Sequence, residues 1–415
     1  MTEAQELRRL YWWSFGLRSS FALTGWLLTV LLDLHLLDDA GGYEARGAQV
    51  ADCWLSGQAS PWLAEAMQSG RSAWVMVVVI AALYCVMGGI RAVPVLIALF
   101  CLITSWTPVF VYKIARQLGQ RPGSARVGAW VVALGPAFAF WSGALYKEGL
   151  ILLVLSLATY HTLVLQERLR VASLVILLGC LAALSGLRFY LAVMMTLLLG
   201  AGLLLGRIRG GAPGAAVGVI LRQLVIALAF VGAMTAVGLD QRLQHFLPAD
   251  THDGLEQIQK SRNDLAEQAS GYFRHVKISN PEEALAFLPT GTFYFLTVPF
   301  PWDLGSLRQN LAIPETLCWV FLYPVVALGA WQGLRRNAQG TILLLMAIVS
   351  ISCFYGLFAG NVGTAFRMRI QVWMFCAVFL GWGFEAVRRL RGVEEVLPTG
   401  ERRSHARARP GPGHL

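Results

Sequence analysis

Charge is what this chain has least of. Only 14% of its residues are Asp, Glu, Lys or Arg, where an ordinary soluble domain carries roughly 25%. A water-soluble globular fold is therefore excluded for most of its length. The cysteines, Cys53, Cys85, Cys101, Cys180, Cys318, Cys353 and Cys376, stand mostly inside apolar runs and form no CxxC pair, so neither a metal site nor a disulfide framework follows from them. They read as small core residues. His245, His252 and His275 are too scattered for a metal centre. No internal repeat is visible, which counts against a transporter built from symmetric halves. Basic residues interleaved with aromatics, as on RNA-binding surfaces, are also missing, so nucleic acid is not an expected partner despite a net charge of +10.

What is present is apolar sequence. The chain is 56% hydrophobic with a mean hydropathy of +0.57, and long apolar runs recur from Phe21 to Ala386. A barrel would show short alternating strands instead. The expectation is an all-α polytopic membrane protein, with about ten transmembrane helices, one re-entrant or interfacial helix and a small helical segment on the outer face. The run Phe21–Leu37 lacks a convincing small-residue cleavage site, so it is expected to be a retained first helix. The parts are then a cytoplasmic N-terminus (1–20), a membrane domain (21–386) with a first outer loop (38–72) and an outer-face loop subdomain (240–314), and a basic, disordered cytoplasmic tail (387–415).

Topology decides which polar residues can meet. Arg8, Arg9 and Arg18 precede or open the first helix and place its start inside. If Ala73–Gly89 does not cross and only Ala92–Tyr112 spans, then Lys113–Arg126, Glu167–Arg170, Arg207–Arg222, Arg335–Arg336 and the tail all fall inside. That one choice makes nearly every short arginine-rich loop obey the positive-inside rule. The remaining spans are read as Val127–Leu145, Glu148–Leu165, Val171–Leu187, Tyr190–Leu205, Leu224–Leu239, Leu317–Gly333, Thr341–Leu357 and Val372–Ala386. In the outer segment, Asp253 with Glu256 reads as a capping box, and Asn280-Pro281-Glu282-Glu283 as a second helix start. The aromatics and prolines from Thr292 to Trp302 fit an interfacial strip.

The same choice gathers separated polar groups on the outer face. One is the acidic stretch from Asp33 through His35, Asp38, Asp39 and Tyr43 to Glu44. The others are Tyr146-Lys147-Glu148, Arg188, and Asn361 to Arg369 with Arg367. Carboxylates beside cations at the mouth of a bundle suit transfer chemistry on an anionic lipid. A carboxylate can take the proton of an acceptor hydroxyl, and arginine can grip a phosphate with two parallel hydrogen bonds. Fixed cations act most strongly where a leaving phosphate builds charge. Two or three carboxylates could also hold a divalent metal, and the sequence leaves that ligand open. Each group has a plainer reading beside this one. Lys147 and Glu148 could be an ion pair at a helix turn, Arg188 a snorkelling helix end, and Arg367 with Arg369 interface anchors.

Asp39-Ala-Gly-Gly-Tyr43, following the first membrane run, resembles the acidic first-loop motif of GT-C glycosyltransferases, in particular the protein-mannosyltransferase-like (family 39) branch of bacterial membrane enzymes. Val111–Gly119, Gly135–Ser142 leading to Lys147-Glu148, Val298–Trp302 with a downstream Glu315, and Gly360–Thr364 with Arg367 are similar to further pieces of that family. The resemblance implies an inverting transfer of a sugar from a polyprenyl-phosphate donor to a glycan, lipid or protein acceptor, at the outer face of the bacterial inner membrane with both termini cytoplasmic. By motif position it implies Asp39 as the catalytic acidic residue; on this reading Asp39 is the general base, with Asp38 as alternate or helper. Arg367 and Arg369, with Lys147 and Arg188, would hold the donor phosphate; Tyr43, Glu44, Glu148 and Asn361 would support the acceptor side. The chain departs from the family in one place: the acid that often follows the catalytic Asp is Ala40 here, with Asp38 before it instead. Two other classes stay open on the sequence: an O-antigen or exopolysaccharide polymerase or ligase, and a non-catalytic transporter or assembly scaffold.

Overall fold

In a computed structural model, described for residues 2–32, 38–68, 73–204, 232, 251–267, 270–274, 276–302 and 305–391, the apolar runs are helices. Among the described residues there is no strand; Gly271 and Asn361 form an isolated antiparallel bridge. The helices are α1 (Glu3–Leu32), α2 (Asp38–Leu55), α3 (Pro61–Gln68), α4 (Trp74–Val86), α5 (Val93–Thr104), α6 (Thr107–Gln117), α7 (Pro122–Leu134), α8 (Pro136–Gly143), α9 (Lys147–Glu167), α10 (Val171–Leu187) and α11 (Phe189–Leu204). Further on come α12 (Thr251–Ala266), α13 (Pro281–Thr297), α14 (Leu307–Arg336), α15 (Ala338–Phe358) and α16 (Val362–Leu390).

Among the described residues, six helices are long and apolar enough to cross a membrane: α1, the joined α5–α6, α9, α14, α15 and α16. A seventh span results if α7 and α8, bent by 55° at their junction, are taken as one. The expected count of about ten is not reached among the described residues. α10 and α11 are apolar but have only 17 and 16 residues. At 1.5 Å per residue they reach about 25 Å, short of a hydrocarbon core of about 30 Å. The expected span Leu224–Leu239, Gly232 apart, lies outside the described residues, as do Asp33, His35 and the tail beyond Arg391. The first helix begins at Glu3 rather than Phe21, because Glu3 to Ser20 contains no Gly-Pro or Pro break and supplies its own i, i+4 stripe of buried residues, Glu6, Leu10, Ser14 and Arg18.

α4 has 13 residues, about 20 Å of helix, too short to count among the membrane-length helices, and it packs along α2. Gly88 and Gly89 then reverse the chain into α5 with φ of +65° and +82°, values that side chains with a Cβ rarely adopt. Arg91 ties this turn to α2 through Asp52 at 2.5 Å and the Ala48 carbonyl at 3.0 Å.

The helix ends sort by charge. Glu3 pairs with Arg116 at 3.3 Å, and Glu6 lies 3.6 Å from Arg126 and accepts from Trp130 Nε1 at 3.0 Å. Glu385 faces Arg336 at 3.7 Å and Arg389 at 3.8 Å, and it accepts from Ser124. Asn337 donates to the Leu118 carbonyl at 3.4 Å. The start of α1, the end of α6, the start of α7 and the ends of α14 and α16 therefore share one end of the bundle. The starts of α9, α11 and α16 and the ends of α10 and α15 meet at the other. α16 runs through the middle, with Trp373 and Trp382 fully buried. It lies so close to α7 and α14 that a Cβ on Gly128 would strike Ala377 O, and one on Gly383 would strike Val325 O. Small residues at such crossings are the usual means of packing helices in lipid, where the hydrophobic effect between helices is absent.

Candidate anion-binding site

At the end where α9 and α16 start, Tyr146 is extended (φ −100°, ψ 143°) and α9 begins at Lys147. Glu148 is thus in the first turn, where the partial positive charge of the helix start favours a carboxylate. Arg188 is the residue between α10 and α11, also extended (φ −162°, ψ 94°), so its side chain leaves a tight turn inward. Asn361 caps α16, its Oδ1 accepting from Thr364 N at 2.7 Å, and Arg367 follows in the second turn.

These elements converge on one carboxylate. Glu148 Oε1 lies 2.8 Å from Arg188 Nη2 and 2.8 Å from Arg367 Nε, and Oε2 accepts from Arg367 Nη2 at 2.9 Å. Arg367 therefore engages Glu148 with both oxygens while Arg188 shares one of them. The Glu148 side chain is fully buried, Arg188 is 4% exposed and Arg367 16% exposed. Arg188 Nη1 donates to Tyr355 OH at 2.9 Å and contacts Met368 Sδ. Tyr355 OH donates onward to Gln371 Oε1 at 3.1 Å and accepts from Tyr190 OH at 3.4 Å. The Arg367 guanidinium lies over the rings of Tyr146 (4.8 Å) and Trp141 (5.4 Å), which supply cation–π attraction in a poorly hydrated place. A centre of two guanidiniums on one carboxylate, with Lys147 next in the chain, can attract and orient an anion.

The structure brings together Glu148, Arg188 and Arg367 from the sequence-derived set. The plainer reading of Arg188 as a snorkelling end does not describe it, because the guanidinium is buried among polar partners. Glu148 is tied to two arginines that are 40 and 219 residues away. Arg369 is placed differently. It is fully buried, with Nε on Phe295 O at 2.6 Å, Nη2 on Val298 O at 2.5 Å and Nη1 near Thr316 Oγ1 at 3.4 Å. It fastens the end of α13 to α16. Arg262 does the same for α15, with Nη1 on Ala359 O at 2.7 Å and Nη2 on Tyr272 O at 3.4 Å; burial lowers its pKa from the ordinary arginine value. The same burial pushes the Tyr272 phenol up to about 12.

Asn361 serves as a cap and donates to Leu265 O at 3.3 Å. Glu44 accepts from Tyr84 OH in the layer formed by α2 and α4, and Tyr43 packs half-buried against the core. Asp38 and Asp39 open α2, and their side chains lie outside the described residues. Among the described residues no group of three or more His, Cys, Asp or Glu could hold a metal. Sequence reasoning missed Tyr355, Tyr190, Gln371, Met368 and Trp141. All lie inside or at the edge of apolar runs, and their polar tips give a signal only once Arg188 is known to point inward. Comparison with protein-family models and with curated proteins returns no match for this chain.

Proposed function

We propose that this protein is a membrane glycosyltransferase of the GT-C kind, moving a sugar from a polyprenyl-phosphate donor to an envelope glycan, lipid or protein acceptor at the outer face of the bacterial inner membrane. The observation that carries the reading is the pair of guanidiniums held on one buried carboxylate, at the end of a bundle with six or seven membrane-length helices among the described residues. A lipid-linked phosphate must be recognised next to hydrocarbon, and preorganised arginine is suited to it because the guanidinium is weakly hydrated and forked.

In this reaction Asp39, with Asp38 as alternate, takes the proton of the acceptor hydroxyl. The hydroxyl oxygen attacks the anomeric carbon, the bond from that carbon to the phosphate oxygen breaks, and the electron pair leaves with the lipid phosphate. Arg367 and Arg188 offset the charge that builds there, where fixed donors act most strongly. Glu148 keeps both guanidiniums aimed while no substrate is bound. Lys147 adds a further cation; Tyr43, Glu44 and Asn361 shape the acceptor side and its surroundings.

The test is transfer of labelled sugar from polyprenyl-phosphate donors by protein in nanodiscs. Asp39→Ala is expected to abolish transfer with folded yield intact, and Arg367→Ala to lower it by roughly 100-fold, the size seen when one transition-state donor is removed. Full activity in Asp39→Ala ends the assignment. One observation favours a different class: the 55° break between α7 and α8 is the kind of discontinuous helix found in transporters. Movement of intact donor across the bilayer, with no new glycosidic bond, would select that reading.

A further inference from the structure

The break between α7 and α8 is occupied. Gly135 and Pro136 interrupt the helix, so the ladder of hydrogen bonds from α7 stops at Gly135 and Ala137 N, in the first turn of α8, has no carbonyl of its own helix to bond. Glu315, from α14, fills that place: its Oε2 accepts from Ala137 N at 2.8 Å. Glu315 Oε1 also lies beside the break, in ordinary contact distance (3.5 Å) of where a Cβ on Gly135 would stand. Glu315 lies within a candidate membrane span, and among the described residues no cation pairs with it. An acid in such a position is costly, and residues that carry this cost are commonly functional.

What α8 carries gives the acid its use. Trp141 is in the last turn of α8, and Tyr146 follows after two residues of connection; their rings lie 5.2 Å apart. Both rings wall the guanidinium of Arg367, and the next residues are Lys147 and Glu148. The other end of α8 is fixed by close backbone approach, since a Cβ on Gly143 would strike Arg18 O. The helix is thus held at both ends, and the carboxylate sets the end farther from the site.

We propose that Glu315 is a positioning residue of the Arg188–Glu148–Arg367 centre, holding the first turn of α8 so that Trp141 and Tyr146 keep Arg367 aimed at an anionic lipid headgroup. The proposal rests on the anion-binding reading for its functional consequence, but not for its structural one. Glu315→Gln retains an oxygen able to accept from Ala137 N; Glu315→Ala does not. Two measurements on full-length protein in nanodiscs separate the outcomes. The first is amide exchange of residues 136–146, read by mass spectrometry without ligand. Glu315→Ala is expected to speed exchange there by about 10-fold, the weight of one charge-assisted hydrogen bond, with exchange in α15 unchanged and Glu315→Gln close to wild type. The second is binding of farnesyl phosphate. Glu315→Ala is expected to weaken it by about 10-fold and Glu315→Gln by under about 3-fold, at equal folded yield.

Exchange in 136–146 that does not respond to Glu315→Ala overturns the proposal. So does exchange that responds while farnesyl phosphate affinity stays at the wild-type value. If wild-type protein binds no farnesyl phosphate at all, the anion-binding reading fails by itself, and the positioning role with it, whatever the exchange result for α8.

Discussion

Arg188 and Arg367 share the carboxylate of Glu148, each with a nitrogen 2.8 Å from the same oxygen. Two like charges are held close together in a buried place by one acid. That arrangement is stable only as a set, and it fixes what substitution should do.

Glu148→Gln leaves the two guanidiniums facing each other without a compensating charge. Removing one partner from a buried ionic group commonly costs about 3–5 kcal/mol. A markedly lower melting temperature in detergent is expected. Glu148→Gln with Arg188→Gln should recover part of the loss, because the repulsion is then removed as well; the double-mutant cycle should show a coupling of about 1–3 kcal/mol. Additive losses would mean that the three groups do not act together.

Arg367 and Arg369 should part company on substitution, although only one residue separates them. Arg367→Lys keeps a cation over Tyr146 and Trp141 but loses the forked contact, so affinity for a phosphate-headed lipid should fall roughly 10-fold with little change in melting. Arg369→Lys cannot reach both Phe295 O and Val298 O, so it should lower stability by about 2–4 kcal/mol and leave the affinity of the folded fraction alone. Thermal melting and lipid-phosphate titration of the two variants side by side check this.

Acid should act on the start of α13. Backbone N–H and hydroxyl hydrogen bonds from Ser279, at 3.0 and 2.9 Å, hold the Glu283 carboxyl below the ordinary glutamate range. A carboxylate lowered by folding contributes stability above its unfolded pKa, and the contribution is lost as pH falls through its folded one. The difference in melting temperature between wild type and Glu283→Ala should therefore be present at neutral pH and shrink as the solution is acidified below that range. A constant difference across the titration would show that the charge is not what matters.

Much of this architecture is legible in the residues because lipid simplifies the rules. The run Val171–Leu187 is a helix with the expected bounds, though short for a span, and the start of α13 at Asn280 and Pro281 follows from its cap, with Asn280 Oδ1 accepting from Glu283 N at 2.8 Å. The gathering of Glu148, Arg188 and Arg367 at one end follows from charge bias in short loops. Three things were not legible. The length of α1 was hidden because its first half is polar enough to read as a tail, although Glu6 and Arg18 are buried against other helices. The different employment of Arg367 and Arg369 depends on which face of α16 meets Glu148 and which meets α13, and hydropathy does not carry that information. The break at Gly135–Pro136 reads as a continuous apolar stretch until Glu315 is seen against it.

The sharing of Glu148 also bears on how the protein is made. Chains emerge from the amino end, so Glu148 and Arg188, in α9 and at the end of α10, enter the bilayer long before α16 exists. At that stage they can form a neutral pair, which lipid tolerates far better than a lone ion. Arg367 arrives with α16, the last membrane-length helix among the described residues, and inserts its charge beside a partner already in place. The centre is thus incomplete, and unable to grip a second anion with two guanidiniums, until that final helix docks.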